Sequence, residues 1–188
     1  MLPMLPSETK KRRFDVHQYH RMLEAGILDE DDRVELLDGE IVEMAAVGGR
    51  HIRTVNRLTM LLAPAAAGQE LAVSVQNPLR LDDQTEPEPD LALIRESSGD
   101  EVPMAGEALL VVEVAESSLS WDRNVKVPRY ARAGIPEVWL VDLASGLVEV
   151  YTGPGPSGSY AQVRTLGEDQ ELACSALGEL GARVREIL

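Results

Sequence analysis

The sequence predicts a mixed central sheet flanked by helices, in an α/β or α+β fold, with an N-terminal helix and a β-hairpin leading into it. Three observations carry that expectation. Leu109-Leu110-Val111-Val112-Glu113-Val114-Ala115 is a nearly continuous apolar run, as in a strand buried on both faces. Residues from about Ser120 to Ala133 have helical character and end at Gly134, and Val138-Trp139-Leu140-Val141 follows as a second buried strand. Strand, helix and strand in that order make a right-handed crossover candidate. Upstream, two strand-type runs between Val34 and Met44 flank Asp38-Gly39, the strongest short-range hairpin signal.

Taken in order, residues 1–13 carry two prolines and a basic run and are expected to form a flexible arm. A single domain, 14–188, is expected to follow, without internal repeat or linker. Asp15 opens a helix with a capping-box pattern to Gln18; Phe14 can staple onto Tyr19, and Gly26 ends it. From Arg50 to about Ala66 the period is helical, with Ile52, Val55, Leu58 and Leu62 on one side. Arg50, Arg53 and Arg57 lie within roughly 60° of one another on the opposite side. Short strands are expected at 71–75, 78–81 and 90–94. Leu147–Tyr151 and Tyr160–Leu166 read as a closing hairpin around a Gly/Pro/Ser loop.

The composition excludes several classes. Charged residues at 27% and hydrophobic residues at 44% are ordinary globular values, which argues against disorder. No apolar run reaches the ~20 residues of a membrane span, and no h-region follows the basic run, so a soluble cytoplasmic protein without membrane contact is expected. The single cysteine can build neither an internal disulfide nor a thiolate metal site. A net charge of −14 disfavours generic coating of nucleic acid. The charge is unevenly spread, however. Residues 81–120 hold eleven acids against Arg95, whereas 46–80 and 121–132 are each basic.

The chemistry concentrates in that acidic centre. Glu86-Pro87-Glu88-Pro89-Asp90 enters a strand with its three acids on one face of extended chain. Glu113 is a lone carboxylate in an apolar strand, costly unless paired or metal-bound. If the two strands are neighbours, Asp90 and Glu113 converge on one hard cation. Lys126 is the only lysine after residue 11 in a chain with fifteen arginines, so a compact ammonium is wanted there. Asp122, one turn earlier, could orient it. Pro128 demands either a kink or a helix start just after Lys126, and the pattern leaves both open. His51 is either a core-border histidine or a substrate contact.

Pro89-Asp90, Glu113 in its buried strand and Asp122-x-x-x-Lys126 resemble the PD-(D/E)XK, restriction-endonuclease-like nuclease superfamily. The likeness is to its bacterial branch described as putative restriction endonucleases or as a domain of unknown function. It spans roughly Arg33 to Tyr151 and includes the Glu35-Leu36-Leu37-Asp38-Gly39-Glu40 hairpin, His51, Gln76-Asn77-Pro78-Leu79-Arg80 and the run from Tyr130 to Trp139. The resemblance implies a Mg²⁺ (or Mn²⁺) site made by Asp90, Glu113 and the Val114 carbonyl, with Glu35 as an outer carboxylate. Ala115 stands where the superfamily pattern has its lysine, so the role passes to Lys126, as in members whose lysine has moved to the next helix. The expected activity is metal-dependent endonucleolytic hydrolysis of phosphodiesters, with DNA as the expected substrate. Arg53, Arg57 and Arg123, with His51, are then candidates to meet nucleic acid, and a homodimer would suit two-strand cleavage. The alternative is a catalytically degenerate nuclease fold serving as a nucleic-acid or protein interaction module. Gly153–Gly158 fits G-x-G-x-x-G, but its two prolines and the strand after it fail the dinucleotide-binding context.

Overall fold

A computed structural model describes residues 11–29, 31–96, 99 and 101–188. Most of the expected N-terminal arm, residues 1–10, lies outside the described residues. Helix α1 (Val16–Glu24) starts at the predicted capping box: Asp15 accepts from the Gln18 amide, and the Gln18 side chain accepts from the Asp15 amide. Strands β1 (Val34–Leu37) and β2 (Glu40–Glu43) pair antiparallel through the two-residue turn Asp38-Gly39. Both turn residues have positive φ (48° and 76°), the backbone twist that a tight hairpin requires. A Cβ at Gly39 would lie 2.7 Å from the Arg13 Cβ, so the turn is also a close approach.

Helix α2 (Gly49–Ala66) buries His51, Thr54, Val55, Leu58, Leu62 and Ala66. Ile52, expected on that side, is half exposed: it lies about 100° round from His51 and falls off the i, i+3, i+4, i+7 stripe. The main sheet runs β3 (Leu71–Val75), β4 (Leu91–Arg95), β5 (Ala108–Ala115), β6 (Glu137–Asp142), β7 (Leu147–Gly155) and β8 (Ser159–Leu166), in that spatial order. Every pairing is antiparallel except β5 with β6. The expected strand at 78–81 is instead an extended segment, tied by Leu79 N–H to Pro87 O and by a single bridge from Arg80 to Met104. Flanking prolines at 78 and 87 withhold the donors that a longer ladder needs.

The β5–β6 crossover is one continuous helical segment. Helix α3 (Leu119–Trp121) passes through a π-helical turn, Asp122–Lys126, into α4 (Val127–Arg132). Pro128 has no N–H to give to Asn124, and the wide Val127-to-Asp122 bond ahead of it accommodates that loss without a sharp break. One face of the sheet packs α2 together with strands β9 (Glu171–Cys174) and β10 (Gly178–Arg183) and the short α5 (Val184–Ile187). The other face packs Val127, Tyr130 and Ile135 against Ala92, Val111, Ala115, Val138 and Leu140. No helix among the described residues is long and apolar enough to cross a membrane.

Candidate active site

Side chains alternate along β5, so Glu113 shares the α4 side of the sheet with Val111 and Ala115. The register that pairs Leu91 with Val112 brings Asp90, one residue before β4, alongside Glu113 on the neighbouring strand. Asp90 Oδ2 accepts from the Val114 amide at 2.8 Å, and His51 Nε2 lies 2.9 Å from Asp90 Oδ1. Lys126, carried by the π-helical turn, places its ammonium 2.8 Å from Glu113 Oε1 and 3.2 Å from Glu35 Oε2. Tyr130, one turn further along, donates its hydroxyl to the same Glu113 oxygen at 2.5 Å.

Glu35 reaches this group because the hairpin docks on the chain leading into β4. Leu36 and Glu86 exchange backbone hydrogen bonds of 3.3 and 2.8 Å, and the Glu88 amide donates to Glu35 Oε2 at 3.2 Å. Asp38, at the hairpin turn, pairs with Arg129 of α4. The hairpin is thus fastened at two points to the segment that carries Lys126.

Glu35, Glu113, Asp122 and Lys126 are all buried. Burial pushes the Glu113 carboxyl up to about 8; Asp122, Asp90 and Glu35 add to the rise, and Lys126 opposes it. Burial also pulls on Lys126 in the downward direction, but Glu113 and Glu35 outweigh it and hold the ammonium above the ordinary lysine range. Asp122 and Glu88 are likewise raised, both chiefly by burial. Around the group opens a cleft of about 310 Å³, lined among the described residues by seven carboxylates against two fixed cations, Arg33 and Lys126.

A family model described as "Putative restriction endonuclease", Uma2, matches residues 16–185. The chain belongs to the Uma2 family. Its fold is also similar to the crystal structure of a putative nuclease belonging to DUF820 from Anabaena variabilis ATCC 29413. That match has a TM-score of 0.69 at 16% identity, covering 87% of this chain and 94% of that chain. At that identity the likeness carries the fold alone. No curated protein matches. The restriction-endonuclease-like fold and the nuclease family expected from the sequence are therefore those of the molecule.

Uma2 membership raises the question of a divalent metal. Among the described residues, no three His, Cys, Asp or Glu side chains stand close enough together to hold one. The donor chemistry nevertheless fits a hard cation. Mg²⁺ keeps several waters and commonly takes only one or two carboxylates, and Asp90 and Glu113 are such a pair in a cleft with a large excess of negative charge. Asp90, Glu113 and the main chain at Val114 would hold it.

Of the remaining expected residues, His51 and Asp122 line the cleft, whereas Arg53, Arg57 and Arg123 do not. Arg53 and Arg57 stand exposed on α2, and neither lines the cleft. Arg123 is committed to Glu149 through bonds of 3.1 and 2.6 Å. His51 is buried against Asp90, with its Nδ1 lacking a hydrogen-bond partner among the described residues. Asp122 accepts from the Ser118 hydroxyl at 2.6 Å, while Glu113 and Glu35 hold the ammonium it was expected to orient. The three acids of residues 86–90 do not act together either. Glu86 is drawn away by His20 and by Arg80 at 3.0 Å, leaving Glu88 and Asp90 on the cleft. Sequence reasoning placed Glu88 on one face with Asp90 but gave Tyr130 no role. The signal for Tyr130 was its i, i+4 spacing from Lys126.

Proposed function

We propose that this chain hydrolyses phosphodiester bonds in DNA, using Mg²⁺ or Mn²⁺ held by Asp90, Glu113 and the Val114 carbonyl. When bound, the cation supplies polarisation of the scissile phosphate and a more acidic water. The observation that carries the reading is Lys126. Arriving from the helix after β5, its ammonium meets Glu113 at 2.8 Å although Ala115 occupies the superfamily's usual lysine position.

In this mechanism Lys126 orients the attacking water or meets the charge that develops on the phosphoryl oxygens. Glu35 grips the other side of the ammonium and keeps it charged. Tyr130 fixes the rotamer of Glu113, and His51 with the Val114 amide fixes Asp90. Arg53 and Arg57 take flanking phosphates, whereas Arg123 can do so only by leaving Glu149.

The test is cleavage of supercoiled, linear and single-stranded DNA with Mg²⁺ or Mn²⁺, together with calorimetric metal binding. Lys126→Ala is expected to bind the metal and cut at least ~100-fold more slowly. Asp90→Ala is expected to lose both. A wild-type chain that cuts none of these substrates, with either metal, overturns the reading in favour of a degenerate interaction module.

A further inference from the structure

We propose that the cleft takes a single-stranded segment, with Trp121 stacking on an unpaired base beside the scissile phosphodiester; this substrate class rests on the phosphodiester reading above. The chain has only seven aromatic residues. Six are buried or half-buried, and Trp121 alone is exposed, at 41%, on the cleft itself. Leaving the largest apolar side chain in water forgoes burial that the other six obtain, so its position needs a reason.

Trp121 directly precedes the π-helical turn, and a base held on its ring is tied through one short stretch of backbone to Asp122 and Lys126. The same cleft is lined by Val42, Met44, Ala45, Ala46 and Val47, an apolar run broken by the Glu43 carboxylate. An indole and a largely apolar lining grip a base by its faces, which suits any base. A paired base offers no free face; its edges alone are presented in the grooves.

Charge points the same way. Duplex DNA brings one phosphate charge per roughly 1.7 Å of its axis, and specific duplex binding needs an array of basic contacts. Here, among the described residues, Arg33 and Lys126 are the only fixed cations lining the cleft, and Lys126 is already held by two carboxylates. A single strand presents fewer phosphates at once and can turn its other charges towards Arg53 and Arg57 on α2.

Intrinsic fluorescence tests this directly, because the only other tryptophan, Trp139, is fully buried. Titration with a short oligodeoxythymidine in Ca²⁺ is expected to quench the exposed emission, whereas the matching duplex quenches it weakly. Trp121→Ala should weaken single-strand binding about 5- to 150-fold and raise KM for single-strand cleavage in step. Trp121→Phe should restore part of it. Met60→Ala, another exposed apolar residue but outside the cleft, should bind as wild type does. Equal affinity for duplex and single strand, absence of quenching, or wild-type binding by Trp121→Ala overturns the proposal, even if duplex DNA is cut. Quenching and discrimination without any cleavage would uphold Trp121 and sink the nuclease reading instead.

Discussion

Two carboxylates are buried in the neighbouring parallel strands of the sheet, and they could hardly be treated more differently. Glu113 on β5 is 4% exposed and Glu137 on β6 is 1% exposed. Glu137 turns to the α2 side, where the Trp139 indole donates to one oxygen at 2.5 Å and the Ser175 amide to the other at 2.9 Å. Each oxygen is satisfied by a neutral donor, and the acid pins the C-terminal hairpin to the sheet. Glu113 turns the other way, into a group of like charges shared by one ammonium. Burial by itself therefore does not mark a candidate functional acid. An excess of negative charge next to a cleft does, because it favours a cation that a satisfied acid does not call for.

The sharpest way to break this comparison is to truncate both acids. Glu113→Ala is expected to leave a folded chain whose cleavage falls by about 10²–10³. Glu137→Ala should do the reverse, costing about 2–5 kcal/mol in denaturant unfolding because two buried donors lose their acceptor, with cleavage per folded molecule retained. Similar losses of stability in both variants would erase the distinction.

A smaller effect should appear in pH. Burial raises the Glu113 carboxyl to about 8 in the folded chain, against about 4.3 in an unfolded one. Between those values the folded state binds more protons. That contribution to stability is therefore full below the lower value and lost as pH rises through the upper one. Metal-free protein should unfold more easily at pH 9 than at pH 5. Glu113→Gln should flatten the profile, and Mg²⁺ should stabilise the wild type more at pH 9 than at pH 6. A flat wild-type profile would mean that Glu113 is as well compensated as Glu137.

The smallest change concerns Tyr130. Tyr130→Phe removes one hydroxyl from Glu113, with an expected loss of about 1–3 kcal/mol in stability and a reduction of cleavage well short of that in Lys126→Ala. If the two variants are equally slow, Tyr130 does more than hold Glu113.

Much of the site was legible because its residues are unusual where they stand. Glu113 interrupts an apolar strand, and Lys126 is a lone lysine in an arginine-rich chain. Asp90 closes an alternating acidic run. Where the structure differs, a polar group was placed by its position in the chain before its partners were known: Glu86 turns to Arg80 and His20, and Arg123 pairs with Glu149. Asp122 stays on the cleft but accepts from Ser118. Pro128 left the helix path open because a π-helical turn depends on how the segment packs, not on the proline alone.

The sequence by itself determined the elements and their order: the capping box at Asp15, the turn at Asp38-Gly39, the two apolar strands and the helix between them. These rest on sterics and hydrogen bonds among residues a few positions apart. Tertiary structure decided what surrounds each buried acid. Glu113 stands inside an apolar strand and Glu137 at the start of one, but their partners come from elsewhere: Glu35, Asp90 and Lys126 arrive at Glu113 from three other elements, and Ser175 arrives at Glu137 from the C-terminal hairpin. Charge interactions act through space and strengthen where water is excluded, so the character of each acid was set by what folding packed around it.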